Sequence, residues 1–228
     1  MAAFCTKPDE LLLVVPADHL LEPAEHFIEA LGMAIKVALD KKLVTFGIQP
    51  SYAKTGYGYI HAKQSLQENV FKIESFVEKL NAAMAEKYVA DGHYFWNSGM
   101  FLFSASTYLK ELKQHAPDIY SVMQLCTKEL KKDGYFSRVN EVLFLECPNI
   151  SIDYAVMEKT QHSVMIKLEL NWNDIGSWQS ICECEKKDES FFISQKMKHS
   201  VANDRDTLLS LVEVQSGNVL VETDIERH

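Results

Sequence analysis

A chain of 228 residues that is 47% hydrophobic and 24% charged can bury a sizeable core and is ordinary for a globular protein. Its 23 basic against 32 acidic residues give a net charge of -9, which argues against nucleic acid and anionic membrane as partners. Five cysteines at irregular spacing (Cys5, Cys126, Cys147, Cys182 and Cys184) suggest neither a disulfide framework nor a zinc motif, so reduced thiols in a cytoplasmic protein are expected, and no apolar run has membrane-spanning length.

Leu11–Val15 is a short apolar run with two β-branched residues, which predicts a strand buried on both faces of a parallel sheet. Pro16 ends it, because proline cannot donate to a ladder. Asp18 then falls just past the strand's carboxyl end, where open α/β sheets bind ligands. A carboxylate there suits a hard cation such as Mg2+, or it caps the next helix. Pro23 suits a first helical turn, and Ala24, Phe27, Ile28, Leu31, Ile35, Ala38 and Leu39 recur at helical spacing. A strand at Leu43–Ile48 completes a strand–helix–strand unit.

Thr55-Gly56-Tyr57-Gly58-Tyr59 permits close approach of backbone to a ligand, or forms a turn whose aromatics pack on a sheet. Val70–Lys79 alternates as one strand, closed by the acid–base pair Glu78-Lys79. Asn81 and Gly92 bracket a short helix. The aromatic run from Tyr94 to Phe103 reads as core, with Asn97 and Ser98 as polar groups that need partners. A helix to His115 is broken at Ala116-Pro117, and a second is expected from Asp118 to Lys132. Ser151 can cap a helix over Ile152–Lys159 with Asp153 in its first turn. A strand over Val164–Leu170 leads to Asp174, a second carboxylate beyond a strand end. Past Lys187 the texture turns polar, and Leu208–Val214 is an isolated strand-like run.

Seven segments in order give these features a common reading: Pro16-Ala17-Asp18-His19, Thr45-Phe46-Gly47-Ile48, Thr55 to Ile60, Phe76-Val77-Glu78-Lys79, Trp96 to Phe101, Ser151 to Lys159, and Trp172 to Trp178. Together they resemble the sugar-1-phosphate nucleotidyltransferases, most closely the bacterial mannose-1-phosphate guanylyltransferases fused to a mannose-6-phosphate isomerase cupin. The resemblance implies an α/β fold: a Rossmann-like, GT-A-like mixed sheet flanked by helices. It implies transfer of a guanylyl group from GTP to mannose 1-phosphate, with Mg2+ as cofactor. Asp18 and Asp174 then look like the metal carboxylates, and Lys79 like the cation on the sugar phosphate. Gly56, Tyr57, Gly58, Glu78, Asn97 and Asp153 look like the substrate-binding set.

The family's opening strand and glycine-rich phosphate loop should precede Leu11, where this sequence offers ten residues without that motif. The chain is therefore expected to be an N-terminally truncated, acceptor-and-metal half of the enzyme. The alternative is a non-catalytic sugar-phosphate-binding or regulatory subunit that pairs with a full-length transferase, and a decayed product is the third reading. Homo-oligomers or a complementing transferase chain are the expected assemblies. Residues 1–187 are assigned to the partial transferase domain, and residues 188–228 to a linker and a cupin-like remnant without isomerase activity.

Overall fold

The computed structural model describes residues 1–77 and 81–175 in full, and beyond them the backbone of four short strands. The chain opens with β1 (Leu11–Val14) and β2 (Leu20–Glu22), followed by helix α1 (Ala24–Leu39) and β3 (Leu43–Ile48). Four short strands come next: β4 (Tyr59–His61), β5 (Ser65–Gln67), β6 (Val70–Lys72) and β7 (Ser75–Val77). Helix α2 (Ala82–Asp91) leads into the long β8 (Tyr94–Ser104), and helices α3 (Ala105–His115) and α4 (Pro117–Lys128) follow. A small hairpin, β9 (Lys131–Asp133) with β10 (Phe136–Arg138), precedes the short α5 (Glu141–Leu145). One π-helical turn at Asp153–Met157 leads to β11 (Ser163–Leu168) and β12 (Asn171–Asn173). The remaining strands form two antiparallel hairpins, β13 (Phe192–Ser194) with β14 (Ser200–Ala202) and β15 (Leu209–Glu213) with β16 (Val219–Thr223).

Two compact units divide the chain, one of Met1–Pro16 with Glu22–Leu170 and one of Ala17–Leu21 with Asn171–His228. The first holds an eight-stranded sheet in the order β5-β6-β11-β3-β8-β4-β7, with β1 added to β8. β11 and β3 run parallel while their other neighbours run antiparallel, so the sheet is mixed, as the resemblance implies. Every residue of β3 is buried, which accounts for its unbroken run of apolar and small residues. One apolar cluster joins Leu43, Phe101 and Phe103 to Leu112 of α3 and to Ala155, Val156 and Met157 of the π turn. Another gathers Ile60, Ala62, Phe95 and Met165.

Several expectations need correction. β1 is not buried on both faces of a parallel sheet. It runs antiparallel to β8, from Leu11 opposite Ser104 to Val14 opposite Phe101, and Leu13 and Val14 are 41% and 44% exposed. β8 is its one ladder neighbour among the described residues. Phe101 and Leu102 pair with β1 on one edge and with β3 on the other. The strand–helix–strand unit is therefore present, with β8 threaded between its two parallel members. In α1 the buried stripe is Ala30, Ala34, Val37 and Ala38, whereas Ile28 and Leu39 face outward at 65% and 62% exposure. Both stripes have helical spacing, and the alanine-rich one permits close approach to the sheet. Phe27 still reaches the core, its ring 5.6 Å from that of Phe46.

The single strand expected over Val70–Lys79 is two strands, β6 paired with β11 and β7 paired with β4. Between them the Glu74 N–H donates to the His61 carbonyl at 2.9 Å. Helix α4 stops at Lys128 rather than Lys132, because Lys131–Arg138 folds back as a hairpin around Gly134, whose φ is +57°. The helix expected over Ile152–Lys159 is the π turn, and β11 ends at Leu168 rather than Leu170.

Gly47 is fixed by space. A Cβ there would lie 2.2 Å from Met165 Sδ and 3.0 Å from Phe95 Cβ, both in buried residues. Gly47→Ala is expected to cost about 1–3 kcal/mol of stability by overpacking, measured as a lower urea midpoint at unchanged slope.

Candidate functional site

Asn97 and Ser98 interrupt an otherwise apolar strand, and their partners explain why. Thr45 lies opposite Phe101, but Gly47 lies opposite Asn97, so β8 carries extra residues against Phe46 and bulges. Gly99 takes the left-handed turn of the bulge, with φ +68°. Side chains replace the lost ladder bonds. Ser98 Oγ donates to the Phe46 carbonyl at 2.6 Å and accepts from the Met100 N–H at 3.3 Å. Thr45 Oγ1 donates to the Met100 carbonyl at 3.1 Å. Ser98 is thus part of the scaffold.

The bulge sets the position of Asn97. Its backbone N–H donates to the Gly58 carbonyl at 2.8 Å, which ties the glycine loop to β8. Its Nδ2 donates to Asp153 Oδ1 at 2.9 Å, and its Oδ1 accepts from the Gly99 N–H at 3.3 Å. A carboxamide has two donors and two lone pairs, so one N–H and one lone pair remain for a further partner among the described residues. Asp153 opens the π turn, whose Ala155, Val156 and Met157 are buried in the core and hold it in place. Such turns recur at functional positions. Burial pushes the Asp153 carboxyl above its ordinary value, while hydrogen bonds from Asn97 and Ser151 oppose the shift.

The loop ahead of β4 forms an aromatic corner. The rings of Tyr52 and Tyr57 meet Trp96 edge-on at 5.1 and 5.3 Å, and Lys54 Nζ lies 5.5 Å from the Tyr57 ring centroid. Tyr59 Oη donates to the Lys54 carbonyl and accepts from its N–H, both at 3.1 Å. Tyr57 is therefore buried against Trp96. Gly56 has open space where a Cβ would stand and no left-handed backbone, so the fold itself makes no demand for glycine there. Glu78 and Lys79 lie outside the described residues, as does the segment after Ile175 with Gly176, Ser177 and Trp178.

The second unit carries the other two carboxylates. β12 pairs with β2, which brings the Asp18 turn and the Asp174 turn to one ribbon. Trp172 Nε1 donates to His19 Nδ1 at 3.2 Å, with the rings edge-on at 5.2 Å. An accepting Nδ1 leaves the neutral ring its proton on Nε2. Burial lowers the His19 pKa, while the charges of Asp18 and then Asp174 raise it. Both aspartates therefore act on one imidazole. Asn173 Oδ1 accepts from the Ile175 N–H at 2.8 Å and fixes the turn that contains Asp174. The sequence pattern did not single out the His19–Trp172 pair, whereas the turn whose aromatics pack on a sheet is present as the corner of Tyr57 against Trp96. The signal available for the pair was a histidine directly after Asp18, and for the corner tyrosines around two glycines.

Among the described residues no group of three or more His, Cys, Asp or Glu is arranged to hold a metal. Two carboxylates on one ribbon do fit a cation such as Mg2+, which binds through one or two carboxylates and completes its shell with water and phosphate oxygens.

A mixed sheet with a bulged central strand is the architecture of the first unit. Residues 1–190 match the family model for nucleotidyl transferases, and the chain belongs to that family. It is 45% identical over 193 residues to the mannose-1-phosphate guanylyltransferase of Salmonella muenchen, covering 82% of this chain and 41% of that one. It is 48% identical over 182 residues to the alginate biosynthesis protein AlgA of Pseudomonas aeruginosa, covering 79% and 38%. The solved structure of a mannose-1-phosphate geranyltransferase from Thermus thermophilus superposes with a TM-score of 0.69 at 30% identity, over 79% of this chain and 51% of that one. The chain spans about two fifths of the length of these curated relatives.

The raised Asp153 carboxyl has a pH signature. A carboxyl that binds its proton more tightly in the fold contributes stability that is fully present below its ordinary range and is lost as pH rises through the folded value. Asp153→Asn keeps an acceptor for Asn97 and removes that loss. Urea titrations at about pH 7 should find the variant at least as stable as the parent, with its relative advantage shrinking as pH falls through the raised folded value and levelling off below the ordinary carboxylate range of about 4.

Proposed function

We propose that this chain supplies the acceptor-binding and metal-binding half of a mannose-1-phosphate guanylyltransferase. The observation that carries the proposal is the conjunction of family membership with two aspartates, Asp18 and Asp174, at the turns of one ribbon. In this reaction a phosphate oxygen of mannose 1-phosphate attacks the α-phosphorus of GTP. The bond from that phosphorus to the oxygen bridging to the β-phosphorus breaks, and pyrophosphate leaves with the electron pair. Positioning and charge neutralisation supply most of such catalysis.

Asp18 and Asp174 would hold Mg2+, and the ion, when bound, would neutralise charge on the phosphates. His19 is kept neutral and oriented by Trp172, so it adds no competing cation beside the carboxylates. Asn97 has a donor and a lone pair left for sugar hydroxyls, and Asp153 fixes its orientation. The Gly58 carbonyl is committed to Asn97, and Gly56 has open space for close approach of a substrate. Tyr57 shapes this wall from its seat on Trp96. We assign Glu78 to the sugar hydroxyls and Lys79 to the sugar phosphate. A cytoplasmic setting belongs to the same proposal and fits the free thiols of Cys5, Cys126 and Cys147. We also assign residues 188–228 to a linker and cupin-like remnant.

The test is calorimetry of the purified chain with mannose 1-phosphate and Mg2+, beside pyrophosphate release with GTP added. Binding that depends on Mg2+ and falls at least tenfold in Asp174→Ala or Asn97→Ala is the expected result. A folded chain with no affinity for mannose 1-phosphate contradicts the proposal. The second reading, a non-catalytic subunit paired with a full-length transferase, is favoured by the exposed residues of β1, Leu13 and Val14. It predicts co-purification with the transferase and no pyrophosphate release by the chain alone.

A further inference from the structure

The first unit has a second recess, at the end of the sheet away from Asn97. β3 enters the sheet at Leu43, and about 13 Å of extended strand separates that residue from Gly47, the partner of Asn97. At this entry an open cleft of about 480 Å³ lies between the end of α1, the start of α3 and the loop into β11. Lys41, Lys42 and Lys110 line it together with His162 and the hydroxyl residues Ser106 and Thr107.

Charge makes the cleft unusual. The chain as a whole carries -9, yet three lysines from two separate elements converge here. None of them has an ion pair or side-chain hydrogen bond among the described residues. Two carboxylates share the lining. Asp40 is exposed at the end of α1. Glu111 is 2% exposed and already engaged, accepting from Thr160 Oγ1 at 2.6 Å and lying 3.4 Å from His115 Nε2. The buried carboxylate is therefore held by its own partners, and the lysines are left facing the cleft.

The first backbone N–H groups of α3 are already engaged. The Ala105 and Ser106 N–H groups donate to the Glu10 and Pro8 carbonyls, and the Thr107 N–H donates to Ser104 Oγ. The attraction for an anion rests on the lysine side chains. Their bases are anchored in firm structure. Lys42 directly precedes the fully buried β3, and the Leu43 N–H donates to the His162 carbonyl at 3.1 Å, which locks the α1 and β11 sides of the cleft together. Lys41 holds a left-handed backbone, with φ +59°.

We propose that this cleft binds the phosphoryl group of a small phosphorylated anion, apart from the residues assigned to the transferase reaction. Three ammonium groups around one recess match the oxygens of a phosphate or pyrophosphate, since charge-assisted hydrogen bonds are the strong ones. The cleft volume has room for an organic group attached to the phosphate. Its ligand is a small molecule and not a nucleic acid, because the surrounding chain is acidic.

Backbone amide NMR on the full chain tests this directly. Inorganic phosphate, pyrophosphate and mannose 1-phosphate are titrated separately, and the tightest probe identifies the source of the phosphoryl group. The expected result is saturable shifts at Lys41, Lys42, Lys110 and His162 in at least one titration. Lys42→Gln with Lys110→Gln should weaken that binding at least tenfold while leaving shifts at Gly58 and Asn97 unchanged. These exposed or half-buried lysines can be replaced without touching the core, and an unchanged urea midpoint checks that the variant folds. Non-saturating shifts, or shifts equal to those at the distant surface residues Lys63 and Lys128, would overturn the proposal and leave an adventitious ion only.

Discussion

A partly buried carboxylate needs a donor, and in this chain the donor stands on a strand bulge. Asp153 is drawn away from water by the π turn, and Asn97 reaches it at 2.9 Å. Asn97 can do so because β8 gives up regular pairing opposite Phe46, with Gly99 turning the chain and Ser98 closing the ladder. Removing a donor from such a group costs about 1–3 kcal/mol, more than a typical surface contact. The same residue ties down the glycine loop through its backbone N–H. Sheet, loop and π turn thus meet at one carboxamide, and the proposed sugar pocket is built around it.

The second unit follows a different logic. Its ribbon of β2 and β12 carries two aspartates and a histidine whose tautomer Trp172 selects. A neutral imidazole beside two carboxylates leaves the local charge negative, which suits the cation proposed for this ribbon. The cleft beside Lys42 has the opposite character, with cations exceeding carboxylates in a chain that is acidic overall. Net charge thus argues about the partners of the whole molecule and says little about any one recess.

Much of this was legible from residue order. The β3 strand, α2 with its Asn81 and Gly92 ends, and the break before Pro117 follow from local chemistry and stand where that chemistry puts them. Asn97 and Ser98 were marked by polarity in an apolar run, though sequence could not say that one serves the scaffold and the other faces Asp153. The misses come from tertiary pairing. An apolar run of the length of β1 reads alike whether it is central or has one partner. Two stripes of α1 share one period, and only the sheet selects the alanines. The helix expected to reach Lys132 ends at Lys128, because the chain turns back at Gly134 into the hairpin of Lys131–Arg138. The need for glycine at position 47 depends on Met165, which lies far away in sequence.

The most direct measurement is a double-mutant cycle over Asn97→Ala and Asp153→Ala at neutral pH, read in both urea stability and mannose 1-phosphate affinity. If the carboxamide–carboxylate bond organises the pocket, the two changes couple by about 1.5–3 kcal/mol, as expected for a hydrogen bond to a charged group. Each single variant then loses affinity, and the double variant loses little more. Effects that add to within about 0.5 kcal/mol, with affinity intact in both single variants, would contradict the account.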